Sequence, residues 1–301
     1  MQAWIFITIA AAAAQTVRFM LQKHLKSTQL STAGSTFSRF VYSAPLVVAV
    51  VLIYSQFSGQ ELPKMSGRFW AFAVTGGLTQ ILATMCVVAL FAERSFAIGI
   101  TFKKTEVVQT AIVGFILLGE TLSFYGTLAI LLGFIAVIVL SDPPGQSDEP
   151  FLARIMNRAA GLGLLSGVLF AFSFVGYRGA TLSLPSGDVA MRAGFTLAVV
   201  TVCQTVGMAL WFALRDREQL PLVFGAWRIG ALVGVTSMIG SLCWFSAFTL
   251  QKAAYVSALG QIELVFSIAA SALFFREKIT ARELLGIGVL LVSVLLLVLF
   301  I

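Results

Sequence analysis

One pattern fills the chain from end to end: a run of about 20 mostly apolar residues, then a short polar break. A helix rises 1.5 Å per residue, so about 20 apolar residues cross the ~30 Å hydrocarbon core of a bilayer. Ten runs qualify: 3–22, 36–57, 69–91, 96–118, 122–140, 160–182, 189–213, 228–250, 253–275 and 283–301. Composition points the same way. Hydrophobic residues make up 59% and charged residues 11%, where a soluble domain carries about 25% charged. Such a chain cannot cover itself with polar surface in water. In lipid the demand becomes internal satisfaction of every backbone hydrogen bond, which helices meet. The expected fold is an all-α membrane protein of about ten transmembrane helices. The first run has no basic residue before Arg18 and reads as a permanent helix, not a secretory signal.

The longest polar stretch, Ser141 to Pro150, lies near the middle of the chain and invites a search for duplication. A shift of 157 residues pairs Trp70 with Trp227, Gly77 with Gly234 and Cys86 with Cys243. It also pairs Glu106 with Glu263 and Glu120 with Glu277, without a gap. Apolar matches are cheap in such a chain, but two glutamates matched by two more at the same spacing are not. Arg39 and Arg192 correspond at a shift of 153. The expected division is 1–140, a polar linker 141–159, and 160–301. Five helices per copy is an odd number, so the second copy enters the membrane from the opposite side. Inverted repeats of this kind characterise secondary transporters.

Charged side chains inside the apolar runs mark candidate pathway residues, because each costs roughly 2.5–3.5 kcal/mol at a bilayer centre. Lys103, Lys104, Glu106 and Gln109 form the densest cluster. Lys103 and Glu106 share a helix face, whereas Lys104 has no acid three or four positions away. The second copy keeps Glu263 but carries Gly260 and Gln261 in place of the lysines, so the pathway is electrostatically lopsided. Glu263 has no basic residue within four positions and reads as an isolated carboxyl suited to proton coupling. Arg18 and Arg39 lie near the same membrane face. They either anchor headgroups or join the lysines in a basic funnel for anionic or zwitterionic solutes. The expectation is a central cavity onto which Glu106, Glu263 and at least one lysine open.

Other residues read more plainly. Glu120 and Glu277 sit in turns and suit loop anchoring. His24 suits a solvated loop. Gly76-Gly77 and Gly161-x-Gly163 suit close helix contacts, and Cys86, Cys203 and Cys243 suit small buried hydrophobes. Trp244, Tyr177, Tyr255, Gln15, Gln80 and Gln204 are polar or aromatic enough to line a cavity, but no spacing selects among them. The net charge of +7 forms no stripe, so lipid headgroups and water, not nucleic acid, are the expected partners. No metal-ligand spacing, nucleotide-binding motif or nucleophile–base pair is present. Neither an enzyme nor a cofactor is expected.

The runs Thr105-Glu106-Val107 through Leu118-Gly119-Glu120-Thr121-Leu122, and Ile262-Glu263-Leu264 through Arg276-Glu277-Lys278-Ile279-Thr280, carry a resemblance. They resemble the two repeat ends of the ten-helix EamA-type carriers of the drug/metabolite transporter superfamily. Arg39 also matches a position of that family. Val107 and Leu264 stand where the family often has proline, and Phe275-Arg276 replaces its small-residue approach to Glu277. The resemblance implies a secondary transporter in the inner (plasma) membrane, moving a small organic solute by alternating access, with protons as a possible coupling ion. A lipid flippase or a membrane scaffold is the alternative. Loops after odd-numbered helices hold twelve basic residues and those on the opposite face five. The positive-inside rule then places both termini outside the cytoplasm, against the family's usual drawing.

Overall fold

The computed structural model describes residues 3–26, 30–90, 102–141, 158–266, 269 and 281–300, and its regular structure is entirely helical. The chain forms α1 (Ala3–Lys26), α2 (Thr32–Ser58), α3 (Gly67–Leu90), α4 (Glu106–Leu118) and α5 (Phe124–Ser141). It continues with α6 (Arg158–Leu182), α7 (Val189–Arg215), α8 (Gln219–Gly225), α9 (Trp227–Leu250), α10 (Ala253–Gly260) and α11 (Ala281–Phe300). Six of these, α1, α2, α3, α6, α7 and α9, are long and apolar enough to cross a bilayer. The fourth and ninth expected runs are described only in part. Most of the expected linker, and Glu277, lie outside the described residues.

The described residues thus hold eleven helices, one more than the expected ten. The addition is α8, too short to cross. Pro221 falls in its first turn, where the missing N–H breaks no helical bond. Gln219 Oε1 accepts from Ser31 N–H (3.0 Å) and Tyr42 donates to the Val223 carbonyl (3.0 Å), tying α8 to the start of α2.

Caps set the helix ends. Ser31 Oγ accepts from Gly34 N–H at 3.0 Å to start α2. Asp188 does the same for α7, accepting from Met191 N–H at 2.8 Å. Gly119, at φ +66°, closes α4 in the left-handed conformation, which brings Glu120 N–H back to the Gly114 carbonyl at 3.2 Å. The Gly-Glu turn noted in the sequence is therefore a helix stop.

Two pairs of helices matched by the internal repeat, α2 with α7 and α5 with α11, pack antiparallel. Along α2 and α7, Phe37 lies against Phe212, while Tyr54 at the far end of α2 donates to Asp188 at the start of α7 (2.6 Å). Along α5 and α11, Tyr125 stacks on Phe300 and Ser293 donates to the Ala129 carbonyl at 2.7 Å. The remaining large contacts exchange under the repeat. α3 packs on α6 as α9 packs on α1, and α4 packs on α6 as α10 packs on α1.

The α3–α6 contact depends on glycine. A Cβ at Gly176 would lie 3.0 Å from the Gly76 Cα and the Phe72 carbonyl oxygen. The Gly76-Gly77 expectation is met, whereas Gly161 faces nothing within 4 Å. The cysteine expectation fails. Cys203 is exposed, Cys86 and Cys243 are half-buried, and all three are free. An apolar side chain gains nothing from burial when the surroundings are lipid, and the outer surface here is strongly apolar, with Phe57, Phe124, Leu214 and Leu299 all exposed.

Candidate functional site

Two breaks in the helices create the site. Ahead of α4, Thr105 N–H bonds the Phe102 carbonyl (3.2 Å), one residue short of α-helical spacing. After α10, Gln261 N–H bonds Ala258 (3.2 Å) and Ile262 N–H bonds Leu259 (3.1 Å), again at the tighter spacing. The breaks fall at matched positions, each just before a glutamate. Glu106 and Glu263 therefore start the following helical segment, where the N-terminal dipole favours negative charge. Gly167 of α6 lets its backbone close over the first break, since a Cβ there would sit 3.1 Å from the Lys103 carbonyl and 3.3 Å from Glu106 N.

The side chains from the two breaks interlock. Lys104 Nζ pairs with Glu263, and Gln261 Nε2 donates to Glu106 Oε1 at 3.3 Å. These two contacts are counterparts: residue 104 corresponds to 261 and residue 106 to 263 under the 157-residue shift. Lys103, whose counterpart is Gly260, breaks the symmetry. Its ammonium lies 3.2 Å from Glu106 Oε2 and 3.8 Å from Glu263 Oε1. It also lies 5.2 Å from the centre of the Phe170 ring. Beyond Phe170, the rings of Phe174, Trp244 and Phe248 continue a stacked row.

Two expectations are corrected here. Glu263 is not isolated. Lys104, which has no acid three or four positions away, is its partner, 159 positions apart in the chain and so invisible to any local spacing. Nor do the charged groups open onto a solvent-filled cavity. Lys104 is 2% exposed, Lys103 3%, Glu106 4% and Glu263 8%. Two lysines and two glutamates cancel in formal charge, which makes burial tolerable. Gln109 stays with its own helix, donating to Thr105 Oγ1 at 2.9 Å, and its Oε1 has no hydrogen-bond partner among the described residues.

Gln15 of α1, which no spacing singled out, joins the cluster. Its Nε2 donates to Glu263 Oε2 at 2.6 Å, and its Oε1 accepts from Trp244 Nε1 (3.2 Å) and Arg18 Nη2 (3.4 Å). Arg18 and Arg39 are 3% and 5% exposed, so the headgroup-anchor reading fails for both. Arg39 donates to Thr84 Oγ1 at 3.2 Å and Ser241 Oγ at 3.4 Å. Beside it, Gln204 bonds the Gly77 carbonyl and Gln80 (both 2.9 Å), with the Tyr177 hydroxyl at 3.4 Å.

Elsewhere, Glu120 anchors its turn by pairing with Arg178, which also donates to the carbonyls of Phe248 (2.6 Å) and Gln251 (2.7 Å). Tyr255 accepts from Ser123 N–H at 2.9 Å and serves the start of α5, not a cavity wall. His24 is exposed as expected, but it stands in the last turn of α1 and not in a loop. An apolar groove of about 200 Å³ between α3 and α7, lined by Trp70, Gly77, Cys203 and Gly207 among others, is separate from the charged cluster. Among the described residues, no group of three or more histidine, cysteine or acidic side chains is arranged to hold a metal.

Comparison with known proteins places these features. The model of the EamA-like transporter family matches the chain twice, over residues 2–142 and 157–299. No curated protein matches it. A solved structure, described only as a crystal structure of a protein, is similar across 98% of this chain and 96% of its own. It has a TM-score of 0.70 at 13% sequence identity, a likeness of fold alone.

Proposed function

The chain belongs to the EamA-like transporter family and is a multi-pass membrane protein, and from that premise we propose that it is a secondary transporter. It moves a small anionic or zwitterionic organic solute across the cytoplasmic membrane by alternating access. Its halves, 1–140 and 160–301, form two inverted repeats of five helices joined by the 141–159 linker. The antiparallel packing of α2 with α7 and of α5 with α11 supports that division, as does the twofold family match.

The observation that carries the reading is the buried charge at the two matched helix breaks. Four ionised groups inside an apolar bundle cost far more than four apolar ones. An inert scaffold has no use for them. Broken helices with converging polar groups are where secondary transporters hold solute. In the proposed cycle, solute charges compete for the Lys104–Glu263 and Lys103–Glu106 contacts, and this competition separates the halves. Lys103, Lys104, Glu106, Glu263, Gln109, Arg18 and Arg39 line or control that path, and protons serve as a coupling ion where Glu106 or Glu263 is freed from its lysine. The test is uptake into proteoliposomes of a panel of amino acids and organic anions, with and without an imposed pH gradient. Saturable uptake of an anion or zwitterion is expected. Uptake confined to cations, or lipid scrambling without solute flux, overturns the reading.

A further inference from the structure

The charged residues at the centre are not equivalent in how far their charge is answered. Each lysine has a glutamate within ion-pairing distance. Among the described residues, the two arginines have none. Arg39 is held by two neutral hydroxyls and lies 5.2 Å from the Phe40 ring. Arg18 has a single weak hydrogen bond, to a Gln15 oxygen that Trp244 also uses, and lies 4.4 Å from the Phe19 ring. Its Nη1 is buried and has no hydrogen-bond partner among the described residues. The two guanidiniums are within electrostatic reach of each other, and Glu263, already engaged by Lys104, is the carboxylate within reach of Arg18.

A buried guanidinium without an anion is strongly unfavourable, and two that repel each other are more so. Two arginines of the second half are better answered or less buried. Arg178 has Glu120 and two carbonyls, and Arg192 donates to the Thr181 carbonyl at 2.8 Å. Guanidinium presents a planar fork that matches the oxygens of a carboxylate or phosphate.

We infer that Arg18 and Arg39 form the binding site for the oxyanion group of the transported solute, a carboxylate or phosphate seated between α1 and α2, beside the Lys–Glu cluster to which Gln15 links Arg18. This rests on the reading of the chain as a carrier of small anionic or zwitterionic solutes. The lysines hold the two repeats together, and the arginines hold the anion.

The experiment is thermal unfolding of the purified protein in detergent, with chloride replaced by inorganic phosphate or by acetate at constant ionic strength. A saturable rise in Tm with one of these oxyanions is expected. The apparent affinity should weaken about tenfold or more in Arg18→Gln and in Arg39→Gln, and stay unchanged in Lys64→Gln, which removes an exposed charge. In oxyanion-free buffer both arginine variants should unfold no earlier than the parent, because each sheds an unanswered buried charge. An earlier Tm or failure to fold would show that the guanidinium is satisfied and overturn the proposal. So would an absent response in the parent, or an equal response in the variants. A response to phosphatidylglycerol but to neither small oxyanion would assign the arginines to a lipid headgroup instead. Binding is read here at equilibrium, without flux. Intact oxyanion binding with no transport rejects the carrier reading alone, and transport with no oxyanion response rejects this site alone.

Discussion

Lys104 and Glu263 are one half of a matched set whose other half is Gln261 and Glu106, and that asymmetry is where the residue scale becomes testable. Removing one partner of a buried ion pair leaves the other charge unanswered, at a cost of about 3–5 kcal/mol. Lys104→Gln is therefore expected to lower the unfolding temperature sharply, since two glutamates would then share Lys103 alone. Adding Glu263→Gln should restore much of the loss, because the site is neutral again and Gln15 still has an amide oxygen to bond. A double variant no more stable than the single one would mean that the pair is not coupled. For transport, Lys103→Gln with Lys104→Gln should abolish flux of an anionic or zwitterionic solute, while Lys64→Gln leaves it intact. Proteoliposome uptake at matched protein content reads this, and unchanged flux in the double variant would reduce both lysines to structural anchors.

At the scale of helices, two features decide how elements meet. The α3–α6 contact brings backbone to backbone at Gly76 and Gly176, so Gly176→Ala forces the helices apart and should cost about 1–3 kcal/mol. Gly161 lies on the same helix with open space around it. Gly161→Ala should be neutral or stabilise by up to about 1 kcal/mol through helix propensity. Thermal unfolding of both variants separates contact from propensity, and equal effects would contradict the packing. The second feature is the cap of α7, outside the membrane. Hydrogen bonds from the Tyr54 hydroxyl and from Met191 N–H hold the Asp188 carboxyl below its ordinary value. A depressed pKa contributes stability above the unfolded value of about 4 and loses it as pH falls through the folded value. Asp188→Asn should thus flatten the acid limb of the Tm–pH curve, whereas a parallel displacement at all pH values would mean that the carboxylate charge plays no part.

For the whole molecule, the open question is which way the bundle sits. Twelve basic residues against five favour termini outside the cytoplasm, yet the structure removes Arg39 from that count. It is buried at the centre and faces no headgroup. Eleven against five still gives the same orientation. A C-terminal fluorescent reporter that matures only in the cytoplasm should therefore stay dark, and bright cells would mean that loop charge does not govern this chain. The same bundle exposes an apolar exterior, which is why the three cysteines need not be buried.

Residence in a bilayer is legible in the sequence, because run length and charge content answer to bilayer thickness and dielectric, whatever the packing. The duplication is legible there too, because matched glutamates survive as a one-dimensional pattern. The helix breaks are not: the charges beside them mark candidate pathway residues, while both runs read as continuous helices. Pairing was decided by the tertiary structure alone. Lys104 and Glu263 meet across 159 positions, and Gln15 reaches Glu263 across 248, distances at which spacing carries no information. The difference between answered lysines and unanswered arginines belongs to the same class. Lys103 has Glu106 three positions on, but Lys104, Arg18 and Arg39 are single cations in an apolar setting when read along the chain, and only the packing of α1, α2, α4 and α10 determines which of those three finds a carboxylate.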